Sequence, residues 1–153
     1  MGASTTDRDP GASIVADDLR CPIAADTDVV QARQTGRELA AGIGFSAGDQ
    51  TVIAAAISEI ARNILMYAKR GEVRFTTVID GSRTGLIVVA EDDGPGIRDV
   101  PRAMQDGYST SGGLGLGLPG ARRLMDEFEV VSSPGQGTRI TMRKWKRGGG
   151  SSA

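Results

Sequence analysis

The chain has 153 residues, with 18 Lys plus Arg against 19 Asp plus Glu, so one domain with no strong charge field is expected. It contains no histidine and a single cysteine, which excludes a histidine base, a phosphohistidine and an internal disulfide within this chain. No apolar stretch approaches the ~20 residues of a membrane helix, and the N-terminus lacks a signal peptide. We therefore expect a cytoplasmic protein with neither nucleic-acid nor membrane partners.

The spacing of apolar residues predicts helices and strands in a defined order. The strongest helix signal covers residues 49–69 and ends before Gly71, while Asp26 or Asp28 is expected to cap the helix before it. In chain order, the predicted elements are a strand at 19–23, helices at 26–43 and 49–69, strands at 73–79 and 86–90, helices at 99–105 and 117–128, and strands at 129–133 and 138–145.

This order predicts an α+β fold. We expect a two-layer α/β sandwich, with the helices on one face of a mixed, mostly antiparallel sheet. The two ends lack any apolar period, so they are expected to be disordered. The predicted organisation is an N-terminal extension at 1–18, one domain at 19–146, and a Gly/Ser tail at 147–153.

Glu59 and Asn63 lie one turn apart on the second predicted helix, at the border of its apolar stripe. Both side chains can therefore reach one site. An amide oxygen is a suitable Mg²⁺ ligand, and a carboxylate can accept the proton of an attacking hydroxyl. The same pair is also common on the solvated face of a helix, so its spacing alone does not decide between the two interpretations.

An acidic and glycine-containing turn follows the most apolar strand, with Asp92, Gly94 and Gly96 at alternating positions. A buried carboxylate at the strand end can accept a hydrogen bond from the 6-amino group of adenine, whereas guanine presents a carbonyl there. Glycine lets a backbone approach a ligand closely. A plain strand-ending turn is the alternative, because Asp-Gly and Pro-Gly are typical turn pairs.

A glycine-rich stretch precedes the helix predicted at 117–128. Backbone amides at a helix N-terminus suit phosphate, although the composition is equally typical of a mobile linker. Its Gly-x-Gly-x-x-Gly spacing is a false match to a dinucleotide fingerprint, because no strand precedes it. The residues predicted to cradle phosphate are Ser111, Gly112, Gly113, Leu114, Gly115, Leu116 and Gly117.

Four motifs occur in one order along the chain: Glu59-x-x-x-Asn63, Asp92-x-Gly94-x-Gly96, the glycine-rich stretch, and Gly135-x-Gly137-Thr138. Together they resemble the boxes of the GHKL (Bergerat-fold) ATPase and kinase superfamily. The likeness covers about residues 19–145 and is strongest to the serine/threonine switch kinases that are related to anti-sigma factors. It implies a domain that binds ATP and Mg²⁺.

The resemblance also implies a role for each matched residue. Glu59 would orient or deprotonate the acceptor hydroxyl, and Asn63 would hold Mg²⁺. Asp92 would bind adenine, supported by Thr138. The glycines of the second motif would admit the nucleotide, and the glycine-rich stretch would form a phosphate lid.

Partners follow from the resemblance alone. In that family the kinase phosphorylates a STAS-domain antagonist within a stressosome-like complex, and a released kinase binds a PP2C-type phosphatase; a sigma factor is a further possible partner. One rival function is an ATP-binding anti-sigma module with little or no kinase activity. Another is an ATPase of the gyrase or chaperone kind, which normally has additional domains.

Overall fold

The structure is a computed structural model that describes residues 12–14, 19–105 and 117–147. These ranges contain four helices and six strands. In chain order they are β1 (Ala12–Ile14), β2 (Leu19–Ile23), α1 (Asp26–Ile43), α2 (Ala47–Tyr67), β3 (Gly71–Asp80), β4 (Arg83–Asp92), α3 (Val100–Ala103), α4 (Gly117–Leu124), β5 (Glu127–Ser132) and β6 (Thr138–Trp145).

The strands form one sheet in the order β1-β3-β4-β6-β5, and β2 also pairs with β3. β1 and β2 therefore share one edge: β2 pairs with the first half of β3 and β1 with its last three residues. Every strand pairing in the described part of the chain is antiparallel. The α+β prediction is confirmed.

The core lies between the helices and one face of the sheet. Alternate residues of the central strands, including Phe75, Val88 and Met142, are almost fully buried there. They pack with the apolar stripe of α2, where Ile53, Ile57, Ala56, Ile60 and Ala61 have no measurable exposure. Each fully buried isoleucine, valine, phenylalanine or methionine side chain among them contributes roughly 1.5–3 kcal/mol. The stripe that predicts α2 from sequence is thus also what anchors α2 to the sheet.

The opposite face of the sheet carries charged side chains in half-exposed positions. Arg74 bridges Glu72 and Glu91 across β3 and β4, and Arg143 pairs with Glu127 across β6 and β5. Exposed pairs of this kind contribute about 0–1 kcal/mol each. The helix-covered face, not the charged face, therefore holds the fold together. None of the helices in the described ranges is long and apolar enough to cross a membrane.

The first helix has the predicted bounds but a different N-cap residue, and the second helix lies two residues earlier than predicted. Ala25, not an aspartate, is the N-cap residue of α1; Asp28 Oδ2 instead accepts hydrogen bonds from the backbone amides of Ala24 and Ala25, at 2.8 and 3.0 Å. α2 begins two residues earlier than predicted because Ser46 Oγ accepts from Asp49 N at 3.1 Å. It ends two residues earlier, and Lys69 then adopts a left-handed φ of 72°.

The helix predicted over 117–128 ends at Leu124, and the following strand starts at Glu127 instead of 129. Two contacts from β6 set this boundary. Lys144 Nζ donates to the carbonyl oxygen of Leu124 at 2.9 Å, and Asp126 Oδ2 accepts from Trp145 N at 2.7 Å. Strand pairing thus overrides the helical pattern of the last four predicted residues.

Two further differences concern β1 and the short helix α3. Residues 12–14 form β1 inside the extension expected to be disordered, where they pair with residues 78–80. The short helix near 99–105 is confined to Val100–Ala103, with Asp99 Oδ1 accepting from Arg102 N at 3.1 Å. Residues 106–116, which include the predicted phosphate-cradle residues before Gly117, and most of the tail lie outside the described residues.

Candidate active site

A cavity of about 480 Å³ opens between α2, the turn after β4 and the start of α4. Its size is in the range of small-molecule sites. α2 contributes Glu59, Arg62 and Asn63, the turn contributes Gly96, and α4 contributes Gly117. The structure thus brings together residues from three of the four predicted motifs.

Glu59 faces this first cavity with only 11% of its side chain exposed. Its Oε1 accepts a hydrogen bond from the backbone amide of Gly117 at 3.0 Å, and its Oε2 lies 3.1 Å from Arg62 Nη1. Because Gly117 is the first residue of α4, the carboxylate lies at the amide-rich end of that helix. Glu59 is therefore a part-buried carboxylate beside Asn63, not a solvated surface residue.

Asp92 ends β4 on the helix-covered side of the sheet, and its Oδ1 accepts from the backbone amide of Gly94 at 2.8 Å. Burial raises the pKa of Asp92 above its ordinary value of 3.8, and the neighbouring Asp93 adds a smaller upward effect. The backbone amides of Gly94 and Thr138 act in the opposite direction but do not cancel the effect of burial.

The raised pKa of Asp92 predicts how the stability of the protein changes with pH. The folded chain binds this proton more tightly than the unfolded chain, so the stability that Asp92 contributes falls as pH rises through the window above 3.8. We expect Asp92→Asn, which can still accept from Gly94, to raise the melting temperature at pH 7. The gain should shrink as pH is lowered toward that window. A variant less stable than the wild type at pH 7 would contradict this account.

Asp92, Gly94 and Thr138 line a second cavity of about 800 Å³, which neither Glu59 nor Asn63 lines. The turn after β4 contributes to both, since Gly94 lines the second cavity and Gly96 the first. The four motifs therefore converge on one region but do not surround a single cavity in the described residues.

The glycines of the turn have a structural role that the sequence did not indicate. A Cβ on Gly94 would collide with the Cβ of Ala68, and a Cβ on Gly96 would collide with the carbonyl oxygen of Ser133. Gly96 also has a left-handed φ of 81°. Both glycines are thus required for the packing of the turn itself, whatever room they leave for a ligand.

Ser132 joins the second and fourth motifs, and sequence reasoning missed it. Its Oγ accepts from Ile97 N at 2.7 Å, donates to the carbonyl oxygen of Gly137 at 3.0 Å, and lies 2.8 Å from Thr138 Oγ1. Because its one proton goes to Gly137, the proton between the two hydroxyls comes from Thr138. The β5–β6 register places Ser132 opposite Thr138, and no sequence signal indicates that pairing.

Sequence reasoning also missed Arg62, although its spacing from Glu59 indicates that the two side chains can interact. It follows Glu59 by three positions, so it lies on the same side of α2. The predicted phosphate-lid residues before Gly117, namely Ser111, Gly112, Gly113, Leu114, Gly115 and Leu116, lie outside the described residues.

The donor set suits a Mg²⁺ ion bound mainly by a substrate. The described residues contain no group of three or more His, Cys, Asp or Glu that could hold a metal, so they form no all-protein cage. Mg²⁺ commonly keeps several waters and takes only one or two protein oxygens together with substrate phosphates. The half-buried Asn63 beside the part-buried Glu59 carboxylate fits that mode.

The sequence profile of a family described as "Histidine kinase-, DNA gyrase B-, and HSP90-like ATPase" matches residues 48–148. The chain belongs to this ATPase family. The match covers α2 apart from its first residue, the turns after β4 and β5, and α4. It therefore includes every residue discussed around the two cavities. It confirms the resemblance to the GHKL superfamily.

Two curated proteins are similar to this chain over more than half of its length. The serine/threonine-protein kinase RsbT of Bacillus subtilis (strain 168) is 52% identical over 125 residues, which cover 82% of this chain and 94% of the relative. An anti-sigma F factor of Thermoanaerobacter sp. (strain X514) is 32% identical over 99 residues, which cover 61% of this chain and 68% of the relative.

A solved structure of the RsbU and RsbW domains of Rv1364c from Mycobacterium tuberculosis has the same fold, with a TM-score of 0.58. The two sequences are 23% identical over 84% of this chain, which spans 32% of that solved chain. Because the identity is this low, the likeness concerns the fold alone.

Proposed function

We propose that this protein is a Mg-ATP-dependent protein serine/threonine kinase that acts in the cytoplasm of a bacterium, in a partner-switching pathway. The observation that carries the proposal is the Glu59 carboxylate, part-buried and facing the first cavity one helical turn from Asn63. A carboxylate at that place can accept the proton of an attacking hydroxyl, which is the step that phosphoryl transfer to a protein requires. The 52% identity to a serine/threonine-protein kinase supports the same conclusion.

In the proposed reaction, a serine or threonine hydroxyl of another protein attacks the γ-phosphorus of ATP. Its proton passes to the Glu59 carboxylate as the oxygen–phosphorus bond forms, the bond to the β-phosphate oxygen breaks, and ADP leaves. Asn63 would hold Mg²⁺ together with the phosphates of ATP, and the ion would supply charge stabilisation. Because this transition state is loose, positioning and electrostatics contribute more than proton removal. The chain has no histidine, which excludes a phosphohistidine on this chain, and the acceptor is proposed to be a hydroxyl of another protein.

Asp92 is proposed to select adenine through the 6-amino group, with Thr138 as a second polar group at the base of the site. Both line the second cavity, so nucleotide binding would have to join the two cavities. Support for this role comes from the burial of Asp92 at the end of a central strand and from its place in the matched family region.

The adenine contact predicts a loss of affinity in Asp92→Asn. An amide in place of the carboxylate removes a charged acceptor, so ATP binding should weaken by about 1.5–3 kcal/mol, the scale of a hydrogen bond to a charged group. Isothermal titration calorimetry with ATP and Mg²⁺ measures this directly. The same substitution should stabilise the free protein at pH 7, so weaker binding could not be ascribed to unfolding. Equal affinity in both proteins would refute the assignment.

We propose a STAS-domain antagonist, alone or as part of a stressosome scaffold, as the phosphate acceptor, and a PP2C-type phosphatase or a sigma factor as the alternate partner. The names of the relatives support partner switching in general, because they include both a serine/threonine-protein kinase and anti-sigma F factors. The anti-sigma relatives also favour the second candidate, an ATP-binding module that sequesters its partner and transfers phosphate slowly or never.

One experiment separates these functions. The full chain is incubated with γ-labelled ATP, Mg²⁺ and a tenfold excess of a STAS-domain protein encoded beside it. A kinase labels more acceptor molecules than there are enzyme molecules. Labelling that stops at or below one acceptor per enzyme would favour the sequestering module, and release of the label as free phosphate would indicate an ATPase. Either of these results would refute the proposed kinase function.

A further inference from the structure

Arg62 lies one turn after Glu59 on α2 and lines the first cavity. Its Nη1 is 3.1 Å from Glu59 Oε2, while the amide of Gly117 holds Oε1 at 3.0 Å. The two donors belong to different elements and approach different oxygens. The carboxylate of Glu59 is thereby restrained from both sides.

The ion pair is poorly suited to a purely structural role. The Arg62 side chain is 36% exposed and that of Glu59 is 11% exposed, so solvent screens the pair from the guanidinium side and weakens its contribution to stability. In the described residues, Glu59 is the one partner to which Arg62 donates a side-chain hydrogen bond. Its position at the wall of the cavity is therefore better explained by what it does to Glu59 than by what it adds to stability.

We propose that Arg62 is a positioning residue, which holds the Glu59 carboxylate in the orientation that receives the proton of the acceptor hydroxyl. The inference rests on the proposed kinase function. A glutamate side chain has three rotatable bonds, and a small displacement of a reacting group can cost on the order of 10²-fold in rate. The guanidinium and the Gly117 amide both limit that freedom, and the guanidinium can be removed without changing the backbone.

The test is a double-mutant cycle with Arg62→Gln, Glu59→Gln and the double variant, using γ-labelled ATP, Mg²⁺ and the STAS-domain protein as acceptor. Because Arg62 acts through Glu59, we expect Arg62→Gln to lower kcat roughly 10–100-fold while the Kd for ATP stays within about twofold. In the Glu59→Gln background, removal of Arg62 should cost no more than about another twofold. Arg62→Lys should recover part of the loss, since an ammonium can also pair with the carboxylate.

Arg37→Gln is the matched control, because Arg37 lies on the exposed side of α1 and lines neither cavity. It should leave kcat and ATP affinity unchanged. Weaker ATP binding in Arg62→Gln, or an equal loss with and without Glu59, would show that Arg62 acts on the nucleotide and would overturn the inference. So would a loss that follows a lowered melting temperature and is not relieved by lysine.

The cycle also separates this inference from the proposed function. A wild-type protein that labels no acceptor refutes both. A large loss in Glu59→Gln together with full activity in Arg62→Gln refutes only the positioning role of Arg62.

Discussion

Replacement of Glu59 by glutamine is expected to lower phosphoryl transfer about 10²-fold, while ATP binds as in the wild type. The amide can still accept from Gly117 N, so the position of α4 should be kept, but it cannot take up the proton of the acceptor hydroxyl. The expected loss is at the lower end of the range for a general base, because proton removal contributes modestly to a loose transition state. It corresponds to about 2.7 kcal/mol in the activation barrier.

Initial rates of label transfer at saturating ATP, paired with calorimetric ATP titrations, measure the two effects separately. The Arg37→Gln protein again serves as the control for a substitution away from both cavities. Full transfer activity in Glu59→Gln would remove Glu59 from the mechanism, and loss of ATP binding would make it a nucleotide contact instead of a base.

A second large effect is expected for Gly137→Ala, which should destabilise the fold by roughly 2–5 kcal/mol. Gly137 has a left-handed φ of 78°, and a Cβ there would collide with the carbonyl oxygen of Asp92 and lie 3.0 Å from the Cα of Asp93. The conformation alone costs alanine about 1–2 kcal/mol, and forcing apart packed backbone adds about 1–3 kcal/mol.

Gly135 supplies a matched control two residues away. It has the same φ of 78°, but a Cβ there would meet no atom within 4 Å. Gly135→Ala should therefore cost only the conformational part, about 1–2 kcal/mol. Urea unfolding gives the free energy of unfolding of both variants. The difference between the two values measures the cost of the close contact between Gly137 and the end of β4. Equal costs for the two substitutions would mean that the turn adjusts freely around Asp92.

The sequence predicts most of the fold because its patterns are long and regular. The apolar period of α2 over more than five turns identifies both the helix and its buried face, and β4 is identified by a continuous apolar run between turns. Errors occur where a few tertiary contacts outweigh a local pattern. Lys144 and Asp126 end α4 early, and pairing with β3 orders the three residues of β1 without any periodicity of their own.

For the candidate site, residue types and spacing make Glu59, Asn63 and Asp92 candidates, and the structure places the first two at one cavity and Asp92 at another. Spacing cannot identify the hydrogen-bond partner that a group has on another helix, strand or turn. The Gly117 amide lies 58 positions from Glu59 in the chain, and the Ser132 hydroxyl lies 35 positions from Ile97. Nor could it show that Gly94 and Gly96 are needed for the turn to pack.

We propose that this protein uses the residues of the first cavity, together with Asp92, to transfer the γ-phosphate of ATP to a hydroxyl on another protein. The most direct test of this transfer is phosphopeptide mapping of the STAS-domain acceptor after multiple turnovers with the wild-type chain and with Glu59→Gln. We predict an acid-stable phosphate ester on a serine or threonine of the acceptor, formed about 10²-fold more slowly by the variant. An acceptor that carries no phosphate, or one labelled equally fast by both proteins, would contradict the account.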